Sequence, residues 1–202
     1  MRRAAPAGAL LIALAVLLGL VGTASLDAAL LARIALVRGE TPAFAITLAQ
    51  GLTRLGDPPV RIAIAAILGL WLLIAGGWRD ALVLALGTAA AALATSALKE
   101  AFARARPHVV AWLDHPTNAS FPSGHAANTT AILLLAALLS GRRDAVTVAL
   151  IVAVGVGVSR PLLGVHWPSD VVGGWLLGGG LALLAYAGGQ ALGSGARPGR
   201  RR

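Results

Sequence analysis

Six stretches without any charged residue dominate this sequence, and all of its Lys, Arg, Asp and Glu residues fall between or outside them. The stretches are 4–26, 62–78, 81–98, 126–141, 145–159 and 171–196. A helix needs roughly 17–25 residues to cross the hydrocarbon core of a bilayer. Four of the stretches reach or nearly reach that length, and the other two gain a turn when flanking polar residues are included. A soluble helical bundle is disfavoured because the long stretches leave no polar helix face.

The pattern predicts an all-α protein, a polytopic integral membrane helical bundle with six transmembrane helices in a single domain, 1–202. The predicted spans are about 6–26, 60–78, 81–100, 124–141, 144–160 and 169–190. Short amphipathic helices on the outer membrane surface are expected within 28–57, and the tail 193–202 is expected to be disordered. The N-terminal apolar stretch could be a cleaved signal peptide, but it is longer than a typical signal core, so we expect a retained first span.

The formal charge is +9, and a strongly basic chain can indicate nucleic-acid binding. Here the cations lie between or outside the spans, so no nucleic-acid partner is expected. With Met1 inside, nine cations lie on the inner side and eight on the outer side, which is a weak bias. One Lys against sixteen Arg suggests a bacterial source. We therefore predict a bacterial inner-membrane protein with both termini in the cytoplasm.

The unusual residues cluster in two of the three predicted outer segments, 99–125 and 159–170. All four histidines lie there: His108, His115, His125 and His166. Composition does not require this clustering, so it points to a site on the outer face. His108 and His115 lie between the motifs, where they either contact a lipid headgroup or only shape the loop.

The first motif is KEAFARARP at 99–107. If the third span continues to Arg106, then Lys99 and Arg106 are seven residues apart and lie on one helix face. Two cations that close repel each other unless an anion lies between them. The alternative is that both side chains reach to lipid headgroups as interfacial anchors.

The second motif is FPSGHA at 121–126. Pro122 suits the first turn of a helix, and we expect Ser123 and Gly124 to leave backbone N–H groups open at its start. Open N–H groups at a helix N-terminus bind anions, and His125 would point a titratable ring at such an anion. The alternative is a capped helix with an interfacial histidine.

The third motif is SRPLLGVHWPSD at 159–170, in which Arg160 supplies a third cation. His166 and Asp170 bridge a loop and the first turn of the next helix. A carboxylate bonded to one ring nitrogen fixes the tautomer and makes the other nitrogen a better nucleophile or base. The alternative is a His–Asp hydrogen bond with only a structural role.

Together, three cations and a helix N-terminus describe a pocket for a doubly charged tetrahedral anion. One histidine with a carboxylate behind it can attack phosphorus, and a second histidine can protonate the departing oxygen. The sequence shows no carboxylate cluster that would hold a metal, so the cations must stabilise the phosphoryl oxygens. The combination predicts metal-independent phosphoryl transfer.

The three motifs resemble the signature of the type 2 phosphatidic acid phosphatase superfamily: K-x6-RP at 99–107, PSGH at 122–125 and SR-x5-H-x3-D at 159–170. The resemblance covers the chain from about residue 60 onward. It implies a six-span membrane lipid phosphatase with an extracytoplasmic site and with no metal or other cofactor. It also implies that His166 is the nucleophile forming a phosphohistidine, Asp170 orients it and His125 is the general acid. The residues it implies for phosphate binding are Lys99, Arg106, Ser123, Gly124 and Arg160.

The implied substrates are phosphorylated lipids such as phosphatidic acid, phosphatidylglycerol phosphate or undecaprenyl diphosphate, and no residue selects among them. The superfamily also contains soluble vanadium haloperoxidases, but the spans favour the lipid phosphatase branch. A competing class is a non-catalytic membrane carrier or transporter that binds a phosphorylated headgroup. Such a protein would need the cations but not a carboxylate-backed histidine and a second histidine, so the sequence favours the enzyme.

Overall fold

The computed structural model describes residues 3–21, 23–75 and 77–194, and in these ranges it contains eight α-helices and no β-strand. The helices are α1 (Ala4–Leu20), α2 (Ala24–Ile34), α3 (Ala43–Arg54), α4 (Pro58–Ala75), α5 (Trp78–Phe102), α6 (Gly124–Ser140), α7 (Arg143–Leu162) and α8 (Pro168–Ser194). The predicted all-α class is therefore confirmed. Of the tail predicted to be disordered, residues 193 and 194 belong to α8, and residues 195–202 lie outside the described residues.

By length and composition, four of these helices can cross a membrane: α4, α5, α7 and α8. A fifth candidate is formed by α1 and α2 together, although these two helices are bent by 94° relative to each other. The remaining apolar helix, α6, has only 17 residues. The described part of the chain thus forms a multi-pass membrane protein with four or five candidate spans, and the predicted total of six stays a prediction.

The N-terminal region differs from its prediction in where the first helix ends. The first span was expected at 6–26, but α1 ends at Leu20, and Val21 is in an extended conformation. The next helix begins at Ala24 and carries Asp27 in its first turn, where that carboxylate is buried. The Asp27 carboxylate is bonded to the Arg104 guanidinium and to the Ser169 N–H. Of the two short helices in this part of the chain, α3 lies within the predicted region 28–57, whereas α2 begins at Ala24, before that region.

The interior of the bundle is organised around α6, which packs against α4, α5, α7 and α8. Two glycines of α8 allow its close approach. A Cβ on Gly178 would lie 2.1 Å from the Ala127 carbonyl oxygen, and one on Gly174 would lie 2.7 Å from the Ser123 carbonyl oxygen. Only glycine permits such contacts. They hold the first turns of α8, with Asp170, against the first turn of α6.

Two loops, 103–123 and 163–167, meet at the end of the bundle where α6 and α8 begin. The N–H of Leu113 in the first loop donates to the carbonyl oxygen of Leu163 in the second, with a separation of 3.0 Å. Both leucines and Val165 pack in an apolar cluster with Ile46 and Ala49 of α3. Burial of this apolar surface fixes the two loops against each other and against α3.

The third predicted span, at about 81–100, does not continue as a helix to Arg106, which was the condition for Lys99 and Arg106 to share a helix face. Helix α5 ends at Phe102, and Ala103 adopts the left-handed conformation with φ 42°. The chain then runs outward, and the carbonyl oxygen of Arg104 accepts a hydrogen bond from the Ser120 N–H at 2.8 Å. Lys99 and Arg106 therefore do not share a helix face. The loop, not helical periodicity, brings the Arg106 side chain back over the end of α5.

Candidate active site

A cavity of about 310 Å³ opens at this end of the bundle, and six of the eight predicted site residues line it. These six are Lys99, Arg106, Gly124, His125, Arg160 and His166. The other two, Ser123 and Asp170, are fully buried behind the lining. The three sequence motifs, which extend from Lys99 to Asp170 in the sequence, therefore converge on one cavity.

The His166 ring is held between a carboxylate and a guanidinium. Its Nδ1 lies 3.3 Å from Asp170 Oδ2, and its Nε2 lies 3.1 Å from Arg106 Nη1. A guanidinium can only donate hydrogen bonds, so Nε2 accepts and carries the lone pair. The ring proton is then on Nδ1, where it faces the carboxylate. Of the two ring nitrogens, Nε2 is therefore the one able to act as a nucleophile.

The environment also keeps the His166 ring neutral. Burial lowers the pKa of His166 well below its ordinary value, and the charges of the neighbouring cations act in the same direction. A neutral imidazole is what nucleophilic attack requires, because a protonated ring has no lone pair to offer.

Asp170 is held by more partners than the sequence indicated. Its Oδ2 accepts hydrogen bonds from the Ser120 hydroxyl at 2.5 Å and from the Trp167 N–H at 2.9 Å. Its Oδ1 is 2.7 Å from Arg104 Nη1. The Ser120 Oγ is also 3.4 Å from His166 Nδ1. The carboxylate is thus fixed on both oxygens before any substrate binds.

Arg104 joins Asp170 to a second buried carboxylate, Asp27. Its Nη2 lies 2.8 Å from Asp27 Oδ2, and its Nη1 also donates to the Ser169 hydroxyl at 2.7 Å. Asp27 in turn accepts a hydrogen bond from the Ser169 N–H. Neither Arg104 nor Asp27 was predicted from the sequence as a residue of the site.

Two of the three predicted cations, Lys99 and Arg106, are anchored by the loop 103–123. The Lys99 ammonium donates to the Ala119 carbonyl oxygen. The Arg106 guanidinium donates to the backbone and side-chain oxygens of Asn118, at 2.8 and 3.0 Å. Burial, and next the charge of Arg160, lower the pKa of Arg106 to about 10, so it stays charged at neutral pH.

The third cation, Arg160, is almost completely buried and already has an acidic partner. Its Nη1 lies 2.6 Å from Asp114 Oδ2 and also donates to the Thr53 hydroxyl, while its Nε has no partner among the described residues. Burial raises the pKa of Asp114, but the charge and hydrogen bond of Arg160 outweigh burial and leave the pKa below its ordinary value. Asp114 therefore stays ionised beside the cavity.

The start of α6 differs in one respect from the expectation that Ser123 and Gly124 both leave open N–H groups. The Ser123 N–H donates to the Asp170 carbonyl oxygen at 2.9 Å, so it is not open. The Ala127 N–H bonds the Ser123 carbonyl oxygen, which leaves Gly124, His125 and Ala126 as the donors of the first turn. The buried Ser123 hydroxyl has no partner in the described residues.

His125 is held by a carboxylate that the motifs do not contain. Its Nε2 lies 3.0 Å from Asp57 Oδ1, in the turn between α3 and α4. The described residues provide no hydrogen-bond partner for its Nδ1. The two predicted catalytic histidines thus each contact a carboxylate.

The comparison with known proteins decides what this site belongs to. A family model described as the PAP2 superfamily matches residues 80–193, which include all eight predicted site residues. The chain belongs to the PAP2 superfamily. The resemblance seen in the three motifs is therefore confirmed.

Two curated relatives and one solved structure agree with this membership. The chain is 36% identical over 133 residues to the decaprenylphosphoryl-5-phosphoribose phosphatase of Mycobacterium tuberculosis, covering 64% of this chain and 72% of that protein. It is 33% identical over 137 residues to phosphatidylglycerophosphatase B of Bacillus subtilis, covering 63% and 67%. The crystal structure of the transmembrane PAP2-type phosphatidylglycerolphosphate phosphatase from Bacillus subtilis matches with a TM-score of 0.79 at 27% identity, over 96% of this chain and 98% of that one.

These findings confirm the predicted activity class: this PAP2 protein is a membrane lipid phosphatase. The fold match over nearly the whole of both chains also extends the likeness to residues before 80, which the family model does not cover. The turn that carries Asp57 lies in that earlier part of the chain.

Proposed function

We propose that this protein removes the terminal phosphate of a phosphorylated lipid through a covalent phosphohistidine on His166. The observation that carries the proposal is the placement of that ring: its Nε2 lies 3.1 Å from Arg106 Nη1 at the cavity, and its Nδ1 lies 3.3 Å from Asp170 Oδ2. In this arrangement Nε2 attacks phosphorus, and Asp170 stabilises the positive charge that develops on the ring.

The phosphate is proposed to lie among Lys99, Arg106 and Arg160, against the first turn of α6. Gly124 lines the cavity at the N-terminus of α6, where free backbone N–H groups favour an anion. Ser123 would contribute through its hydroxyl, since its N–H is already bonded to Asp170. These donors stabilise the equatorial oxygens in the transition state.

His125 is proposed to be the general acid. As the bond from phosphorus to the leaving oxygen breaks, the electron pair stays on that oxygen, which takes a proton from His125. The neutral ring then accepts a proton from the water that attacks the phosphohistidine, so the cycle ends with inorganic phosphate and with a lipid that has lost its terminal phosphate. In the ranges that the structure describes, no group of three or more His, Asp or Glu side chains is arranged to hold a metal ion, which supports a metal-independent cycle.

The proposed substrates are lipid phosphates of the phosphatidic acid, phosphatidylglycerol phosphate or undecaprenyl diphosphate type. The proposed location is the bacterial inner membrane, with the cavity on the extracytoplasmic face and both termini in the cytoplasm. Supporting the orientation, Arg79, Arg142 and Arg143 lie at the helix ends opposite the cavity. The whole chain, 1–202, is proposed to act as one domain, with the first span retained, because α1 packs along α8.

The test is phosphate release from a panel of these lipids in detergent, with a strong chelator present. We expect turnover of at least one lipid phosphate in chelator, and background rates for His166→Ala. Strict dependence on an added divalent metal would contradict the mechanism. Tight headgroup binding without any phosphate release would instead support the carrier alternative.

A further inference from the structure

The turn between α3 and α4 places a carboxylate directly on the proposed general acid. Asp57 Oδ1 lies 3.0 Å from His125 Nε2, and the two side chains are 42% and 18% exposed. Asp57 lies outside residues 80–193, the part of the chain that the family model matches. The pair also joins elements that are 68 residues apart in the sequence.

The packing of this turn shows that the contact is built into the fold. Gly56, the residue before Asp57, faces the same ring: a Cβ there would lie 2.5 Å from His125 Cδ2 and 2.9 Å from Val156 Cγ1. Any larger residue at position 56 would push the turn away from α6 and α7. The glycine therefore keeps Asp57 within hydrogen-bond reach of the ring.

A simple capping role does not account for the direction of the side chain. Asp57 immediately precedes α4, and its carbonyl oxygen accepts the Arg61 N–H at 2.9 Å. A capping carboxylate would accept a hydrogen bond from an N–H of the first turn of α4, and within the described residues the Asp57 carboxylate makes no such bond. Its hydrogen bond goes to His125.

A carboxylate next to His125 offsets the positive charges that surround this ring. The ring lines the same cavity as Lys99, Arg106 and Arg160, whose positive charges disfavour a protonated imidazole. Asp57 is the carboxylate in contact with the ring, whereas Asp114 is already engaged by Arg160.

We propose that Asp57 is a positioning residue for His125. The Asp57 carboxylate accepts a hydrogen bond from the Nε2–H of the ring and stabilises the doubly protonated form. The Nδ1–H of His125 is then the proton that is given to the leaving oxygen. The proposal rests on the proposed role of His125 as general acid. In the step concerned, the P–O bond to the lipid breaks as the P–N bond to His166 forms. The Nδ1 proton moves to the lipid oxygen, and Asp57 keeps its charge and takes no proton.

The experiment compares two substrates of nearly equal size that differ in their need for an acid. The 4-nitrobenzyl phosphate leaving group is an alkoxide and needs a proton, whereas that of 4-nitrophenyl phosphate departs as a stable phenolate. The measured quantity is kcat/KM, which covers the steps up to departure of the leaving group. Wild type is tested first on both compounds and on a short-chain phosphatidic acid.

We expect Asp57→Asn to lower kcat/KM about 10–100-fold for 4-nitrobenzyl phosphate and for the lipid, and by no more than about threefold for 4-nitrophenyl phosphate. Asparagine caps a helix as well as aspartate does, so a capping role predicts no change for either compound. His125→Ala should show the same selectivity with a larger loss. Asp144→Asn is the matched control, because Asp144 is an exposed partner of Arg142 at the opposite end of the bundle and should change neither rate.

The proposed roles of His125 and of Asp57 can be contradicted separately. Equal losses on both compounds in His125→Ala would contradict its role as general acid. Selective loss in His125→Ala without selective loss in Asp57→Asn would overturn the present inference alone. A higher kcat/KM in Asp57→Asn would also overturn it, since that would mean that the carboxylate competes with the substrate for the ring.

Discussion

Removing the charge of Arg104 should damage both stability and turnover, because this guanidinium is shared by two buried carboxylates. It lies 2.7 Å from Asp170 Oδ1 and 2.8 Å from Asp27 Oδ2, and those side chains are 0% and 3% exposed. The substitution Arg104→Met keeps most of the apolar stem and removes the charge. It leaves two carboxylates in the interior without their cation.

The expected loss of stability follows from that geometry. Breaking a buried ion pair by removing one partner costs about 3–5 kcal/mol. The Arg104 side chain is 22% exposed, so water can partly replace it, and we expect the lower end of that range. For a chain of this length, 3 kcal/mol corresponds to a fall in Tm of roughly 6–12 °C. Turnover should fall about 100-fold, as for a misplacement of about 1 Å at a reacting group, because one oxygen of Asp170 loses its anchor.

The assay combines thermal unfolding in detergent with turnover of one lipid phosphate, and a second variant separates the two effects. In Arg104→Met combined with Asp27→Asn, one of the uncompensated charges is gone, so part of the lost Tm should return. Turnover should not return, because Asp170 still lacks its partner. An Arg104→Met protein with the Tm and turnover of wild type would refute this reasoning.

Three further results are expected. Gly124→Ala should fold normally, because the nearest atom to the added Cβ is Lys99 Cε at 3.6 Å, an ordinary contact distance. The same Cβ would occupy part of the proposed phosphate position, so inhibition by inorganic phosphate should become weaker. In this cysteine-free chain, a cysteine at exposed Thr117 should react with an impermeant reagent in intact cells, and one at exposed Arg143 should not. The pKa of His166 in the folded state lies below its ordinary value of 6.5, so near and below that pH the unfolded chain binds more protons than the folded protein. Acidification from about pH 7.5 to about pH 5 should therefore lower the Tm of wild type more than the Tm of His166→Asn.

Each of these results has a clear opposite. Unchanged phosphate inhibition in Gly124→Ala would remove the start of α6 from the phosphate site. Labelling only at Arg143→Cys would place the cavity in the cytoplasm. Equal loss of Tm on acidification in wild type and His166→Asn would mean that the buried ring is not resisting protonation.

The residues of the three motifs could be predicted from the sequence because each motif has its own local chemistry. A carboxylate four residues after a histidine and a glycine at a helix start each indicate a function without knowledge of the rest of the fold. The structure brings His125 and His166 into one cavity from different helices and loops. Local chemistry did not predict the path of the chain between the motifs. Arg106, for example, lines the cavity from a loop and not from a continuation of α5. The segment contains no glycine to mark the end of α5, and contacts with the loop 103–123 decide where the helix stops.

Asp57, Arg104 and Asp27 were missed because their partners are distant in sequence. Asp27 and Arg104 are 77 residues apart, and Asp57 and His125 are 68 apart. A usable signal did exist, since the chain has only eight acidic residues. Six of them lie at the predicted outer ends of spans or in the outer segments: Asp27, Glu40, Asp57, Glu100, Asp114 and Asp170. Four of these six, Asp27, Asp57, Asp114 and Asp170, contact an arginine or a histidine of the site. In so apolar a chain, acidic residues on the same side as the cationic motifs are natural partners for them.

The proposed mechanism requires that His166 carries the phosphoryl group, and trapping this intermediate is the decisive experiment. The purified protein is mixed with a lipid bearing a radiolabelled terminal phosphate in chelator, stopped with alkali and denaturant, and examined for label on the protein. A phosphohistidine survives alkali and is lost in acid, so the stability of the label identifies the kind of residue that carries it. We predict acid-labile, alkali-stable label on wild type and none on His166→Ala. Full turnover by His166→Ala, or label that persists in that variant, would contradict the account.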